Sequence, residues 1–158
     1  MAVKKIQRVY VDASVVGGSF DKEFDWQTEP FWNAVRQDKI RVIVSDLLRG
    51  ELLDAPEHVR EFFNDLLNLN VEHVKLTQEA EELAETYISE KVVGTSSLDD
   101  ARHIAIATLA RADVLVSWNF KHIVNVNRIR GYNSVNHRFG HPMLDIRTPQ
   151  EVMDYEEE

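Results

Sequence analysis

The chain contains no cysteine, which excludes disulfide frameworks, zinc–thiolate clusters and thiol nucleophiles, so any chemistry must use oxygen or nitrogen groups. No stretch reaches the roughly 18 apolar residues that a spanning helix needs, and the opening run MAVKKIQRVYVDASVVGG is interrupted by Asp12. These absences read as a cytoplasmic protein with no membrane segment. Basic residues are scarce: 18 Lys and Arg stand against 27 Asp and Glu, a formal charge of −9. That balance argues against a nonspecific nucleic-acid coat, whose affinity comes from Lys and Arg that release counterions. Internal repeats, low-complexity linkers and domain boundaries are also missing. Residues 1–150 therefore read as one domain, for which 44% apolar content supplies a core. Residues 151–158 read as a short terminal helix and acidic tail.

The charges that are present are unevenly spread. Glu79, Glu81, Glu82, Glu85 and Glu90 read as a solvated helix face, and Asp154, Glu156, Glu157 and Glu158 as a frayed end. Between Asp113 and Asp145 there is no acidic residue, while Lys121, Arg128, Arg130 and Arg138 fall there with three histidines. One segment is thus locally basic and is the candidate for phosphate contact, unless these side chains only neutralise their own surroundings.

Five short apolar or β-branched runs read as strands: Ile6 to Val11, Arg41 to Val44, Glu72 to Leu76, Val114 to Ser117 and Met143 to Ile146. Between them helical spacing predicts Pro30 to Gln37, Asp46 to Leu69 with a break near Pro56, Gln78 to Val92, Leu98 to Arg111 and Phe120 to Phe139. Such alternation implies an open sheet with right-handed crossovers, covered on both faces. Ser45, Thr77 and Ser97 read as helix N-caps, and Thr148-Pro149-Gln150-Glu151 as a capping box with Pro at the first helical position.

Open α/β sheets bind ligands beyond the carboxyl ends of their strands, where strand order reverses. Asp12 follows the first strand and Asn119 the fourth, Glu51 lies in the helix after the second strand, and Asp100 lies in the first turn of the helix before the fourth. Each has a structural alternative: a turn former at Asp12, a helix-face charge at Glu51, a carboxylate favoured by the helix dipole at Asp100. Together they point to a cation, because clustered carboxylates repel one another without one. All-oxygen ligands, without Cys and without zinc-protease histidine spacing, select Mg²⁺ or Mn²⁺.

These residues carry a resemblance. Val9-Tyr10-Val11-Asp12-Ala13-Ser14-Val15-Val16 resembles the opening motif of PIN domains, and Asp100-Ala101-Arg102-His103-Ile104-Ala105-Ile106-Ala107 their third acidic motif. Glu51 stands where the family's Glu falls, and Asp113-Val114-Leu115-Val116-Ser117-Trp118-Asn119-Phe120 resembles the fourth motif. The resemblance covers nearly the whole chain and is nearest to VapC-type toxin ribonucleases. It implies a PIN-like three-layer α/β/α fold with a central, mainly parallel five-stranded sheet. It also implies a Mg²⁺- or Mn²⁺-dependent ribonuclease with Asp12 and Asp100 as metal ligands and Glu51 as ligand or general base. Trp26, Phe31, Trp32, Phe62 and Phe63 read mostly as core, since aromatic stripes bury large areas; the resemblance also implies a homodimer and an antitoxin partner lying across apolar grooves formed by early helices, a purpose that exposed aromatics there would serve. The chain departs from the fullest pattern at Asn119, an amide that supplies no charge to a second metal, although Asp99 and Asp113 are nearby acids. That departure, with the charge of −9, favours the alternative of a PIN-like module that binds RNA or a protein without cutting.

Other readings fare worse. A haloacid-dehalogenase phosphatase uses a second Asp two residues after the first, where this chain has Ser14. A receiver domain wants an Asp after the third strand, where Leu76 leads to Thr77 and Gln78. His103, three residues after Asp100, reads as a packed core histidine or a partner of the site. His122 reads as a surface residue that could touch phosphate.

Overall fold

The structure, a computed structural model, describes residues 5–156; Glu157 and Glu158 of the expected tail lie outside them. Strands β1 (Gln7–Val11), β2 (Ile40–Ser45), β3 (Glu72–Val74), β4 (Val114–Val116) and β5 (Ile146–Arg147) form one sheet in the order β3-β2-β1-β4-β5. Every neighbouring pair is parallel. The helices are α1 (Ala13–Gly18), α2 (Asp25–Arg36), α3 (Asp46–Leu52), α4 (Glu57–Leu67), α5 (Gln78–Ser89), α6 (Leu98–Leu109), α7 (Val126–Arg138) and α8 (Pro149–Glu156).

Strand side chains alternate between two cores, as the period of two requires. Val9, Val11, Val42, Val44, Val114 and Val116 pack with Phe31, Trp32 and Phe63 of α2 and α4 and with Val152 of α8. Tyr10, Ile43, Leu115 and Ile146 pack on the other face with Leu83 and Tyr87 of α5, Ile104 and Ile106 of α6, and Tyr132 and Val135 of α7. The three-layer α/β/α architecture expected from the resemblance is therefore present, with a wholly parallel sheet.

Local chemistry sets the boundaries. Thr77 Oγ1 accepts from the Ala80 amide and Ser45 Oγ from the Leu48 amide, each at 3.1 Å. The Thr148 box closes reciprocally, with Glu151 N to Thr148 Oγ1 and Thr148 N to Glu151 Oε1 both at 3.1 Å. Ser97 departs from expectation: it makes no side-chain cap, and a 3-10 turn, Thr95–Ser97, leads into α6 instead. Helix α2 starts at Asp25 rather than Pro30, because the proline removes only the bond to the carbonyl of exposed Trp26. The expected helix Phe120 to Phe139 is divided by two asparagines. Asn119 Oδ1 caps a turn at residues 120–123, and Asn125 Oδ1 accepts from Asn127 N at 3.1 Å and Arg128 N at 3.2 Å to start α7.

Two polar networks hold the layers together. At the amino edge of the sheet Arg8 binds Glu72 in bidentate fashion at 2.7 and 3.0 Å, and the Arg8 amide donates to Asp113 Oδ2 at 2.8 Å. The Arg8 hydrogen bond holds the Glu72 carboxyl below its usual range. Inside the second core, the Tyr87 hydroxyl donates to Asn136 Oδ1 at 2.5 Å, and Asn136 Nδ2 reaches Thr108 Oγ1 at 3.3 Å, so that α5, α6 and α7 share one amide. Truncating that amide strands a buried hydroxyl. Asn136→Ala should lower the unfolding free energy in urea titrations by about 1–3 kcal/mol, and by less in a Tyr87→Phe background, where the stranded donor is already gone.

Candidate functional site

Register positions the site. Val11 pairs with Val116 and Tyr10 with Ile43, so Asp12, Ser117 and Ser45, one residue beyond the first pair and two beyond the second, lie side by side at the carboxyl edge. Strand order reverses there between β1 and β4, which is the ligand crevice of open sheets. Alternation turns all three towards the face covered by α6.

Asp12 is 5% exposed and caps α1. Its Oδ1 accepts from Ser14 Oγ at 2.6 Å and the Val15 amide at 3.2 Å, and its Oδ2 accepts from Ser117 Oγ at 2.6 Å. Ser14 Oγ in turn accepts from the Trp118 amide at 2.9 Å, and Ser117 Oγ from the Asn119 amide at 2.9 Å. Burial pushes the Asp12 carboxyl above its usual range, and His103 together with these hydrogen bonds pulls it back. The arrangement holds a carboxylate in fixed orientation inside the fold.

Helix α6 brings Asp100 and His103 to this edge one turn apart. Asp100 is half-buried and accepts no hydrogen bond from any described residue, so the capping role open to it in the sequence is not taken up. Burial raises its carboxyl; His122 and His103 oppose the rise, and the charges of Asp12 and Glu51 add to it. One carboxylate thus senses the other two and both histidines. Asp12, Glu51 and Asp100, expected to converge, form one electrostatic group.

Glu51 and His103 belong to a chain of hydrogen bonds. His103, 2% exposed, pairs through Nε2 with Glu51 Oε1, while its Nδ1 meets the Tyr10 hydroxyl at 2.6 Å. That hydroxyl meets Ser45 Oγ at 2.7 Å. Burial pushes the Tyr10 phenol up, so it stays protonated. Because the Glu51 carboxylate can only accept, one polarity satisfies every atom: His103 Nε2 donates to Glu51, Tyr10 to His103 Nδ1, and Ser45 to Tyr10 while its Oγ accepts from the Leu48 amide. The second Glu51 oxygen has no partner among the described residues, and 31% of the side chain is exposed. His103 is therefore both packed in the core and part of the site.

The fourth motif behaves differently. Asn119 Oδ1 accepts from the amides of Lys121 at 3.2 Å and His122 at 3.0 Å, so its oxygen is spent on the turn. His122, expected at the surface, is half-buried beside Asp100, with Nδ1 buried and unpartnered. Its position one turn after Asn119 was the available signal, and nothing in the sequence showed that α6 would lie against it. Of the basic residues, Arg128 donates to the Val92 carbonyl at 2.5 Å and Arg138 pairs with Glu90 at 3.3 Å. Lys121 and Arg130 are exposed. Asp99 pairs with Arg102 at 2.8 Å, and Asp113 serves the opposite edge of the sheet, so neither stands in for a fourth acid.

Among the described residues no three His, Asp or Glu side chains form a cage for a metal ion. The donors do fit a hard, hydrated cation, which characteristically takes one or two carboxylates and keeps its waters. Asp100 has both oxygens uncommitted, and its charge is disfavoured by burial and by Asp12. Glu51 has one oxygen on His103 and the other without a partner among the described residues.

The raised Asp100 carboxyl fixes the sign of a pH effect. Between the ordinary aspartate value and the higher folded value, the native state holds more protons than the unfolded chain, so stability falls as pH rises through that window. At neutral pH the ionised group is a burden. Asp100→Asn should therefore melt above wild type in chelator at about pH 7.5, and the gain should shrink as pH falls towards about 4. Differential scanning at both pH values checks this.

No family model and no curated protein matches the chain. Solved structures do. The crystal structure of Mycobacterium tuberculosis VapC20, a Sarcin-Ricin loop cleaving toxin, aligns with 17% identity over 72% of this chain and 91% of that one, with a TM-score of 0.56. The structure of VapBC2 from Rickettsia felis bound to a DNA fragment from their promoter aligns with 14% identity over 89% of this chain and 98% of that one, with a TM-score of 0.55. At these identities the common property is architecture, and the chain has the α/β/α fold of VapC-type PIN domains.

Proposed function

We propose that the chain is a metal-dependent ribonuclease acting as the toxin of a cytoplasmic toxin–antitoxin pair. The observation that carries the reading is the group of three carboxylates at the reversal of strand order, two of them raised by burial. The likeness in fold to a toxin that cleaves the Sarcin-Ricin loop supports RNA as the substrate class. Asp12 and Asp100 would hold Mg²⁺ or Mn²⁺, which supplies an acidified water and neutralises charge on the phosphate.

The chain's own residues do the rest. Ser14, Ser117 and the Val15 amide keep Asp12 oriented although it is buried. His103 fixes one oxygen of Glu51 and leaves the other to take a proton from water as that water attacks phosphorus and the bond to the leaving ribose oxygen breaks. Lys121 and Arg130 are the cations left to meet phosphates.

Protein partners follow from the same reading. A cleft of about 180 Å³ between α2 and α4 is lined by Trp32, Arg36, Phe62, Asp65, Leu66 and Leu69. It suits an apolar antitoxin segment, an idea supported by the likeness to the VapBC2 structure, and we propose a homodimer as the toxin's free state. Among the described residues no helix is long and apolar enough to cross a membrane.

One observation favours the rival reading of an inactive binding module: the oxygen of Asn119 is spent on its turn. Cleavage decides between them. The wild type should cut structured RNA only with added Mg²⁺ or Mn²⁺, Asp12→Ala and Asp100→Ala should abolish cutting, and Glu51→Gln should slow it by roughly 10²-fold or more. Asn119→Ala should retain cutting if it remains folded. The metal should also raise the melting temperature of wild type and not of Asp12→Asn/Asp100→Asn. A folded wild type that binds RNA and leaves a broad panel intact would establish the inactive module.

A further inference from the structure

The turn that Asn119 caps presents a ring to solvent beside the carboxylate edge. Phe120 is 50% exposed, whereas Trp118, two residues earlier, is 7% exposed. Phe120 is backed by Trp118 and Phe24 at centroid distances of 6.1 and 6.2 Å, and those two rings stack on each other at 4.6 Å with planes 16° apart. The wall is anchored from behind. Trp118 Nε1 donates to Thr28 Oγ1 at 2.9 Å, and Gly18 leaves room for the indole, since a Cβ there would stand 3.0 Å from two of its atoms. Asn119 fixes the turn from the front through the Lys121 and His122 amides, and its own amide is tied to Ser117 Oγ, which holds Asp12. By contrast Trp26, 65% exposed on α2, has no ring neighbour among the described residues.

We propose that the open face of Phe120 is a stacking platform for one unpaired nucleobase next to the phosphate at the carboxylate edge, with Lys121 on an adjoining phosphate; this rests on the ribonuclease reading. Three observations favour that occupant. The ring is continuous with the site, since Phe120 is three residues beyond Ser117, a reach of at most about 10 Å. The chain carries a charge of −9 and two of its four candidate phosphate-binding side chains, Arg128 and Arg138, are engaged elsewhere. Affinity for RNA then cannot rest mainly on counterion release, and aromatic stacking is the remaining strong term. The ring is also backed by Trp118 and Phe24 on a turn capped by Asn119, which limits the ordering that binding requires of the protein. A base inside a duplex has no free face, so the platform selects single-stranded or looped RNA.

The test measures binding of a short single-stranded RNA and of a duplex of the same sequence to the protein in chelator, where the metal-dependent reaction does not consume the probe. Adding Phe120→Ala should weaken the single strand roughly tenfold, as loss of one stacked base does, leave the duplex unchanged and leave the salt slope unchanged. Phe120→Trp should restore binding, and Lys121→Ala should lower the salt slope by about one. Melting temperatures should match throughout, because the ring is exposed. Equal binding with and without Phe120→Ala, equal loss for strand and duplex, or no binding of either probe overturns the proposal. So does a result in which Phe120→Ala alters only self-association in sedimentation, which assigns the ring to a second copy of the chain. The two readings fail separately. A wild type that cuts RNA with kinetics unaffected by Phe120→Ala rejects the platform alone. A wild type that binds RNA through Phe120 without cutting rejects the nuclease alone.

Discussion

The buried charge of Asp12 is the constraint around which the rest of the site is arranged. A carboxylate 5% exposed is costly to ionise unless its oxygens are occupied by donors. Two serines and one amide occupy them, and each donor comes from a segment that the sheet already fixes. Ser117 is the register neighbour across the β1/β4 pair, and Ser14 lies in the first turn of the helix that Asp12 itself caps. Orientation of the carboxylate is therefore a property of the parallel pairing and not of a loop.

Two groups raised by burial on one edge draw on the stability of the whole. The opposite edge and the second core contribute against them. Arg8 ties β1 to β3 by a bidentate pair, and Asn136 joins three helices in a satisfied buried network. The polarity of the sheet thus separates tasks: ion pairing closes the amino edge, and uncommitted or strained charge is kept at the carboxyl edge. That separation lets an acidic chain carry carboxylates within electrostatic reach of one another.

Much of this was legible in the sequence. The runs around Val9 to Val11 and Val114 to Val116 announce strands because parallel strands buried on both faces must be continuously apolar. Asp12, Glu51 and Asp100 were singled out from their places relative to those strands and from motifs that resemble those of PIN domains. Elements that depend on tertiary contact were missed. Helix α1 holds Gly17 and Gly18, poor helix formers, and exists because Asp12 caps it and Val15 and Val16 are buried. The strand expected from Met143 begins only at Ile146, since Met143 is 71% exposed and Leu144 binds Asn133. The pairing of Tyr10 with His103 spans 93 positions and follows from how α6 lies on the sheet, which local pattern does not encode. Arg128 and Arg138 looked like a phosphate patch because sequence shows a side chain's charge and not its reach.

The hydrogen-bond chain from Ser45 through Tyr10 and His103 to Glu51 begins and ends on the same helix. Ser45 caps α3 and Glu51 lies in its second turn, so the chain is a closed circuit that leaves α3, crosses β1 and α6, and returns. Each member has one donor facing one acceptor, and the direction along the chain is set by the Glu51 carboxylate, which can only accept. Removing a single member leaves a neighbouring polar atom without its partner, whereas exchanging several together can preserve the direction of the chain. The four positions are accordingly one unit of variation, and α3 cannot slide or turn on the sheet without opening the loop at both ends at once.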